Sequence, residues 1–162
     1  MVTRRTLLAV AGAAPFARLP GAPAAVVTYR VEGSAATVAL RRGDTAVLLL
    51  HAARRWHYEI APIDTGEGGG ITGHHTGTAV TLHPTAYPPG GSERPPAHQV
   101  AIVRDILADC GGTVAWGGDR TPAACGLFHI AVRPGDAGLR RAARRLGAAR
   151  PGARSLTHQR SF

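Results

Sequence analysis

The sequence predicts an α+β fold, because helix-like and strand-like segments follow one another in mixed order along its 162 residues. The clearest helix is Ala97–Asp109, whose apolar residues recur at helical spacing and which two glycines follow. The clearest strand is Thr78–His83, in which β-branched residues recur in an alternating pattern. An apolar content of 44% with 18% charged residues is typical of a folded chain, and the length suits one domain plus an appendage.

In the first third of the chain, turn residues separate short segments with apolar character. Val26–Tyr29 and Ala36–Leu40 are predicted strands, with a turn at Glu32-Gly33-Ser34 between them. Ala46–Ala53 is mainly apolar, and its periodicity does not separate helix from strand, although its leucines and alanines favour a helix. Trp56–Ile60 alternates and is predicted to be a strand.

The rest of the chain combines loops with further short elements. Asp64–Gly73 holds five glycines and is a predicted loop, and Pro84–Pro96 holds five prolines and is a predicted irregular excursion. Thr113–Trp116 and Leu127–Val132 are predicted strands. Asp136–Ala148 is a predicted amphipathic helix, with leucines and alanines along one stripe and four arginines on the other face.

The net charge of +9 comes from the two ends of the chain. All 19 basic residues are arginines; three precede Ala25 and seven follow Leu139, whereas nine arginines and ten carboxylates lie between these positions. Because the charge does not interleave with aromatic residues, the sequence does not predict a nucleic-acid-binding domain. The basic C-terminal helix is either a solvated face or a surface for anionic wall polymers or lipid headgroups.

Residues 1–24 are predicted to be a twin-arginine export signal. The Arg4-Arg5 pair precedes the short apolar run Leu7–Phe16, and Ala22-Pro23-Ala24 offers the small residues that a signal peptidase requires. The run is about half as long as the roughly 20 residues that span a bilayer. We therefore expect an exported monomer, extracellular or associated with the cell wall, without a transmembrane span after processing.

The two cysteines, Cys110 and Cys125, would both remain after export. An oxidising compartment permits a disulfide between them, but the sequence does not give the distance that such a bond requires. A disulfide and two free thiols both remain open at this point.

His74 and His129 are the candidate metal ligands. His74 lies between a glycine-rich loop and a predicted strand, and His129 lies on a later predicted strand, so the two imidazoles could converge at one sheet edge. Two imidazoles and one carboxylate leave a fourth zinc position open for water, as in catalytic zinc sites. Zinc lowers the pKa of that water, and a nearby carboxylate then acts as general base.

This region resembles the zinc D-alanyl-D-alanine carboxypeptidases and related L-alanyl-D-glutamate endopeptidases of the bacterial cell wall. The family carries H-x-x-G-x-A-x-D, then a helix, then a segment similar to W-G-G-D, and then D/E-x-x-H on a strand. The residues that match these motifs, in the family's order, are His74, Gly77, Ala79, Trp116, Gly117, Gly118, Asp119 and His129. The resemblance extends from about residue 46 to residue 135.

The resemblance implies a small, mainly antiparallel sheet with helices on one side, of the Hedgehog and D-Ala-D-Ala-peptidase type, in residues 25–135. Residues 136–162 would then form a basic C-terminal helix and tail. It also implies zinc bound by His74 and His129, and peptidoglycan stem peptides bound near Trp116 and Asp119. Alternatively, Trp116 fills the core and Asp119 caps a turn.

Two positions depart from the family pattern. The family's zinc-binding aspartate falls at Thr81, whose hydroxyl stays protonated, and its catalytic carboxylate falls at Gly126, which cannot transfer a proton. His83 follows Thr81 by two residues, so on a strand it would project from the same face and offer a substitute ligand. Glu59, on the predicted strand at Trp56–Ile60, is the candidate substitute base.

Two functions therefore remain as expectations. The first is an exported zinc carboxypeptidase acting on peptidoglycan stem peptides, with impaired or absent catalysis. The second is a non-catalytic pseudoenzyme that binds a cell-wall peptide or a partner. The order of the motifs favours the family, whereas Thr81 and Gly126 favour loss of catalysis.

Overall fold

A computed structural model describes residues 24–65 and 70–148, so all but the last residue of the predicted export signal, and the tail after Ala148, lie outside the described residues. The helices and strands, with a 3-10 turn at Gly117–Asp119, are β1 Val26–Arg30, β2 Thr37–Arg41, α1 Asp44–Glu59, β3 Ile71–Gly73, β4 Ala79–Leu82, α2 Ala97–Asp109, β5 Val114–Trp116, β6 Leu127–Ile130 and α3 Ala137–Ala148. The α+β prediction is confirmed.

Both sheets are antiparallel, as expected: β1 and β2 form a hairpin, and the larger sheet has the order β3-β4-β6-β5. Phe128 pairs with Val80 on one side and with Trp116 on the other, and all three side chains are buried. Trp56 of α1 meets the ring of Phe128 edge-on at 5.8 Å, so the helices cover this face of the sheet. The next residue, His129, points to the opposite face, which we call the open face.

The predicted strand at Trp56–Ile60 is wrong, because this segment is the last turn of α1. The helix has a fully buried face that includes Leu49, Ala53 and Trp56 at helical spacing. The backbone N–H of Ile60 donates to the Trp56 carbonyl at 2.9 Å and closes the helix. Five residues that alternate between apolar and polar fit either a helix or a strand, and the burial of Trp56 against the sheet decides in favour of the helix.

The other helices follow the predictions closely. The predicted helix at Ala97–Asp109 is confirmed as α2, and the helix favoured for Ala46–Ala53 lies within α1. Helix α3 begins after Asp136, whose Oδ1 accepts the backbone N–H of Leu139 at 3.0 Å. Leu139 and Ala142 are buried in the core cluster that includes α1, so α3 is packed as part of the domain.

The last three residues of the predicted Asp64–Gly73 loop form strand β3 instead. Thr72 pairs with Thr81, so β3 extends the sheet beside β4. Three residues are too few for a period to appear in the sequence, and pairing with β4 defines the strand.

Cys110 and Cys125 are both buried and are free thiols. Burial raises the pKa of Cys110 to about 12, so this thiol stays protonated and unreactive. Within the described residues, none of the helices has the length and apolar character that crossing a membrane requires.

Candidate functional site

The open face of the larger sheet brings His74, Thr81 and His129 together. His74 lies in the turn after β3, where its backbone N–H donates to the Ala79 carbonyl at 3.1 Å. A hydrogen bond of 3.0 Å joins His74 Nε2 and Thr81 Oγ1. Ala79 lies directly opposite His129 in the ladder between β4 and β6, and Thr81, two residues after Ala79, projects from the same face. Because His74 shares a hydrogen bond with Thr81, both imidazoles are on that side of the sheet.

The surroundings of His129 favour its neutral form. Burial lowers the pKa of His129, and the positive charges of Arg120 and His74 lower it further. The Nδ1 atom of His129 is buried and has no hydrogen-bond partner among the described residues. The open face therefore combines a neutral imidazole with the permanent charge of Arg120.

A cleft of about 300 Å³ opens beside these side chains. The loop after β4 forms one wall and the loop before β6 forms another; a hydrogen bond of 2.8 Å from the Gly90 N–H to the Ala123 carbonyl joins them. Tyr87 anchors the first loop by packing edge-on against Trp56 at 5.9 Å. The residues that line the cleft are His74, Thr81, Pro89, Gly90, Arg120, Thr121, Pro122, Ala124 and Leu127.

The donor atoms at this site do not fit a zinc ion. Catalytic zinc needs three protein ligands, and His74 and His129 are accompanied only by the neutral hydroxyl of Thr81. Among residues 24–65 and 70–148, no group of three histidine, cysteine, aspartate or glutamate side chains could hold a metal ion. The two imidazoles lie on one face of the sheet, but a third ligand is missing from the described residues.

His83 does not supply that ligand, and the expected strand geometry is wrong at this position. Strand β4 ends at Leu82, and His83 adopts a left-handed conformation with a φ of 46°. Its ring stacks on Trp56 with centroids 6.3 Å apart, on the helix side of the sheet. The two-residue alternation that would place His83 beside Thr81 stops where the strand stops.

Glu59 is likewise removed from the site. It lies in the last turn of α1, where both carboxylate oxygens accept hydrogen bonds from Arg55 at 2.5 Å. These bonds lower the pKa of Glu59 and keep it ionised. Because α1 packs on the opposite face from His129, the sheet separates Glu59 from the cleft.

Trp116 and Asp119 have partners within the fold and do not line the cleft. The indole N–H of Trp116 donates to the Cys125 carbonyl at 2.7 Å, and the guanidinium of Arg104 lies 5.2 Å from its ring centroid. Asp119 accepts two hydrogen bonds from the same guanidinium, at 2.7 and 2.5 Å. Their predicted contact with a substrate remains a prediction, and the core-filling alternative describes Trp116 well.

Gly126 lies where no side chain fits. A Cβ atom at this position would overlap the carbonyl oxygen of Leu82. The carbonyl of Gly126 accepts the backbone N–H of Leu82 at 2.8 Å, which holds the two backbones together. A carboxylate at this position would therefore require the backbone to move.

Arg120 is a candidate site residue that the sequence analysis did not identify. It is exposed, and it lies on the cleft wall immediately after the Gly117–Asp119 turn. Its position next to the W-G-G-D segment was the available signal, because a turn at that point directs the following residue into solvent beside the cleft.

No protein-family model, no curated protein and no solved structure matches the chain. The candidate site is accordingly defined by its geometry. The cleft is lined by one imidazole, that of His74, by the hydroxyls of Thr81 and Thr121 and by the guanidinium of Arg120, with no carboxylate among these lining residues. His129 lies on the same face of the sheet but is not one of the lining residues.

Proposed function

We propose that this protein is a non-catalytic relative of the zinc D-alanyl-D-alanine carboxypeptidases that binds peptidoglycan stem peptides in the open-face cleft. One observation carries the proposal. His74 and His129, which match two metal-binding positions of the resembled family, and Thr81, which stands where that family has an aspartate, lie on one face of the sheet beside the cleft. The two histidines on which the resemblance rests are thus on one face of the sheet, and the described residues that line the cleft include no carboxylate.

The charge of the cleft suits a peptide that ends in a free carboxylate. Arg120 is the permanent cation on the wall, and a guanidinium binds a carboxylate through two parallel hydrogen bonds. Apolar lining residues such as Pro122 and Leu127 offer contacts for small side chains such as the methyl groups of D-alanine. A volume of about 300 Å³ is at the lower end of small-molecule sites and suits a short peptide terminus.

Hydrolysis lacks its chemical requirements at this site. A metallopeptidase needs a metal to polarise the scissile carbonyl and a carboxylate to deprotonate the attacking water. The resemblance puts the third metal ligand at Thr81 and the base at Gly126, where the chain has no carboxylate, and Glu59 is held by Arg55 on the other side of the sheet. The proposed role is therefore recognition, carried out after export by the twin-arginine route.

Titration of the full-length protein with a stem peptide ending in D-Ala-D-Ala, followed by calorimetry, tests the proposal. Saturable binding is expected, and Arg120→Gln should weaken it by about 10- to 100-fold, because it removes a charge-assisted hydrogen-bond donor. Arg42→Gln is the matched control, since Arg42 is also exposed but does not line the cleft. Binding by the control should equal that of the unchanged protein.

Release of D-alanine is measured in the same samples. No release is expected, with or without added zinc. Release that a chelator abolishes would support the carboxypeptidase instead of the binding protein. Absence of binding, or equal weakening by Arg120→Gln and Arg42→Gln, would overturn the proposal.

A further inference from the structure

Helix α3 presents a surface of arginines that the cleft does not use. We define the basic face as Arg140, Arg141 and Arg144, which are exposed on the side of α3 opposite its buried residues. Arg144 lies three residues after Arg141 and four after Arg140, which is about one turn of the helix, so Arg140 and Arg144 are about 6 Å apart along the axis. The three side chains thus form one compact cationic surface.

The basic face lacks neutralising groups within the part of the chain that the structure describes. None of its three arginines takes part in a described ion pair, whereas Arg104 pairs with Asp119 elsewhere on the surface. Asp136 is the only acidic residue from position 131 to the C-terminus, and it caps the first turn of α3. Like charges held close together repel one another, and a polyanion relieves that repulsion.

Helix α3 is held in place by Arg145 and by its apolar residues, without the three arginines of the basic face. The guanidinium of Arg145 donates to the Asp109 carbonyl at 3.0 Å, at the C-terminal end of α2, where a cation is stabilising. Leu139, Ala142 and Ala143 supply the apolar packing of α3. The fold therefore accounts for Arg145 and the apolar stripe, and leaves the basic face without a structural role.

We propose that the basic face binds a phosphodiester polymer without bases, such as a poly(glycerol phosphate) chain. Arginine recognises phosphate through paired hydrogen bonds, and a linear polymer offers charges to several arginines at once. This function goes beyond peptide binding in the cleft and does not depend on it. The sequence beyond α3 adds Arg150, Arg154 and Arg160 and no acidic residue, which extends the positive charge toward the C-terminus.

Two features of α3 favour such a polymer over a membrane or a nucleic acid. Helices that lie on a bilayer insert apolar side chains, but the apolar stripe of α3 is buried within the domain. Proteins that bind single-stranded nucleic acids stack bases on aromatic side chains, and α3 contains no aromatic residue.

The test measures binding of the full-length protein to immobilised poly(glycerol phosphate) between about 50 and about 200 mM salt. Arg140→Gln, Arg141→Gln and Arg144→Gln should each lower the slope of log affinity against log salt by about 0.7, the value for one released counterion on a single-stranded polymer. Arg42→Gln, which removes an exposed arginine from outside α3, should leave the slope unchanged. Equal urea midpoints for all four variants would show that folding is unaffected.

Competition identifies the source of the phosphate. Vesicles of phosphatidylglycerol and phosphatidylcholine, and oligothymidylate, are each added at the same phosphate concentration as the polymer. The polymer should compete best, whereas stronger competition by vesicles or by oligothymidylate would replace the proposal with a membrane or a nucleic-acid surface. An equal effect of Arg42→Gln and the three α3 variants would overturn the assignment to the basic face.

Discussion

Thr81→Asp should convert the paired imidazoles of the open face into a zinc site. The hydroxyl oxygen of Thr81 lies 3.0 Å from His74 Nε2, so a carboxylate oxygen introduced there stands next to the first imidazole. The ladder between β4 and β6 places His129 on the same face. Two histidines and one carboxylate are a known ligand set for a zinc ion that keeps one position open for water.

The expected stabilisation by zinc follows from the coupling between metal binding and folding. The new carboxylate lies near the charge of Arg120 on the cleft wall, so the metal-free variant should differ from the unchanged protein by less than about 1 kcal/mol. Zinc at about 100 times its dissociation constant would stabilise the variant by about 2.7 kcal/mol. For a chain of 162 residues this corresponds to a rise of about 5–11 °C in the unfolding midpoint.

Elemental analysis and thermal unfolding with and without a chelator measure both quantities. Thr81→Asn is the matched control, because it has the same shape as the aspartate variant but no charge. Stoichiometric zinc is expected only in Thr81→Asp, and adding His74→Ala to that variant should remove it. If Thr81→Asp binds no zinc, or Thr81→Asn binds as much, the imidazoles do not converge as the strand register requires.

Three further changes test the fold. Trp56→Ala removes a fully buried ring and should lower the free energy of unfolding in urea by about 3–5 kcal/mol; a cost below 1 kcal/mol would contradict its central position. Gly126→Ala places a Cβ on a neighbouring carbonyl oxygen and should cost about 1–3 kcal/mol, whereas Gly147→Ala, which meets open space in α3, should not destabilise the protein. Burial lowers the pKa of His51 despite its hydrogen bond with Asp109, so the folded protein binds fewer protons than the unfolded chain just below pH 6.5. Stability in urea should therefore fall as the pH is lowered from about 7.5 to 5.5, and less steeply in His51→Gln; an equal slope would contradict the burial of that ring.

The helices show which parts of the fold the sequence could specify. The bounds of α2 follow from a long apolar period and the glycines after it, both of which are local signals. The end of α1 could not be predicted, because the burial of Trp56 against the ring of Phe128 is a contact between distant residues. Strand β3 depends on pairing with β4 in the same way. Long periods are therefore predictable, whereas short elements depend on tertiary partners.

The same distinction between local signals and tertiary contacts applies to the candidate site. His74 could be selected because it precedes strand β4, and His129 because it lies on strand β6; both strands have a clear sequence pattern. The two strands then pair with each other in the sheet. The substitute residues His83 and Glu59 failed because both were placed by assuming an extended strand beyond the point where the real element changes. Arg120 was not selected, because its position on the cleft wall depends on two loops whose course the sequence does not determine.

The two departures from the family pattern differ in physical kind, and the difference bears on function. Thr81 lines the cleft and shares a hydrogen bond with His74, so a carboxylate could be introduced there by changing one side chain. Gly126 lies against the backbone of Leu82, and the space that a catalytic side chain would need is filled by a carbonyl group. Introducing a metal ligand at Thr81 is therefore compatible with this fold, whereas introducing a carboxylate at Gly126 requires a different path for the chain between β5 and β6. Metal binding could therefore be introduced into this fold more easily than hydrolysis, which is consistent with the recognition role proposed for the cleft.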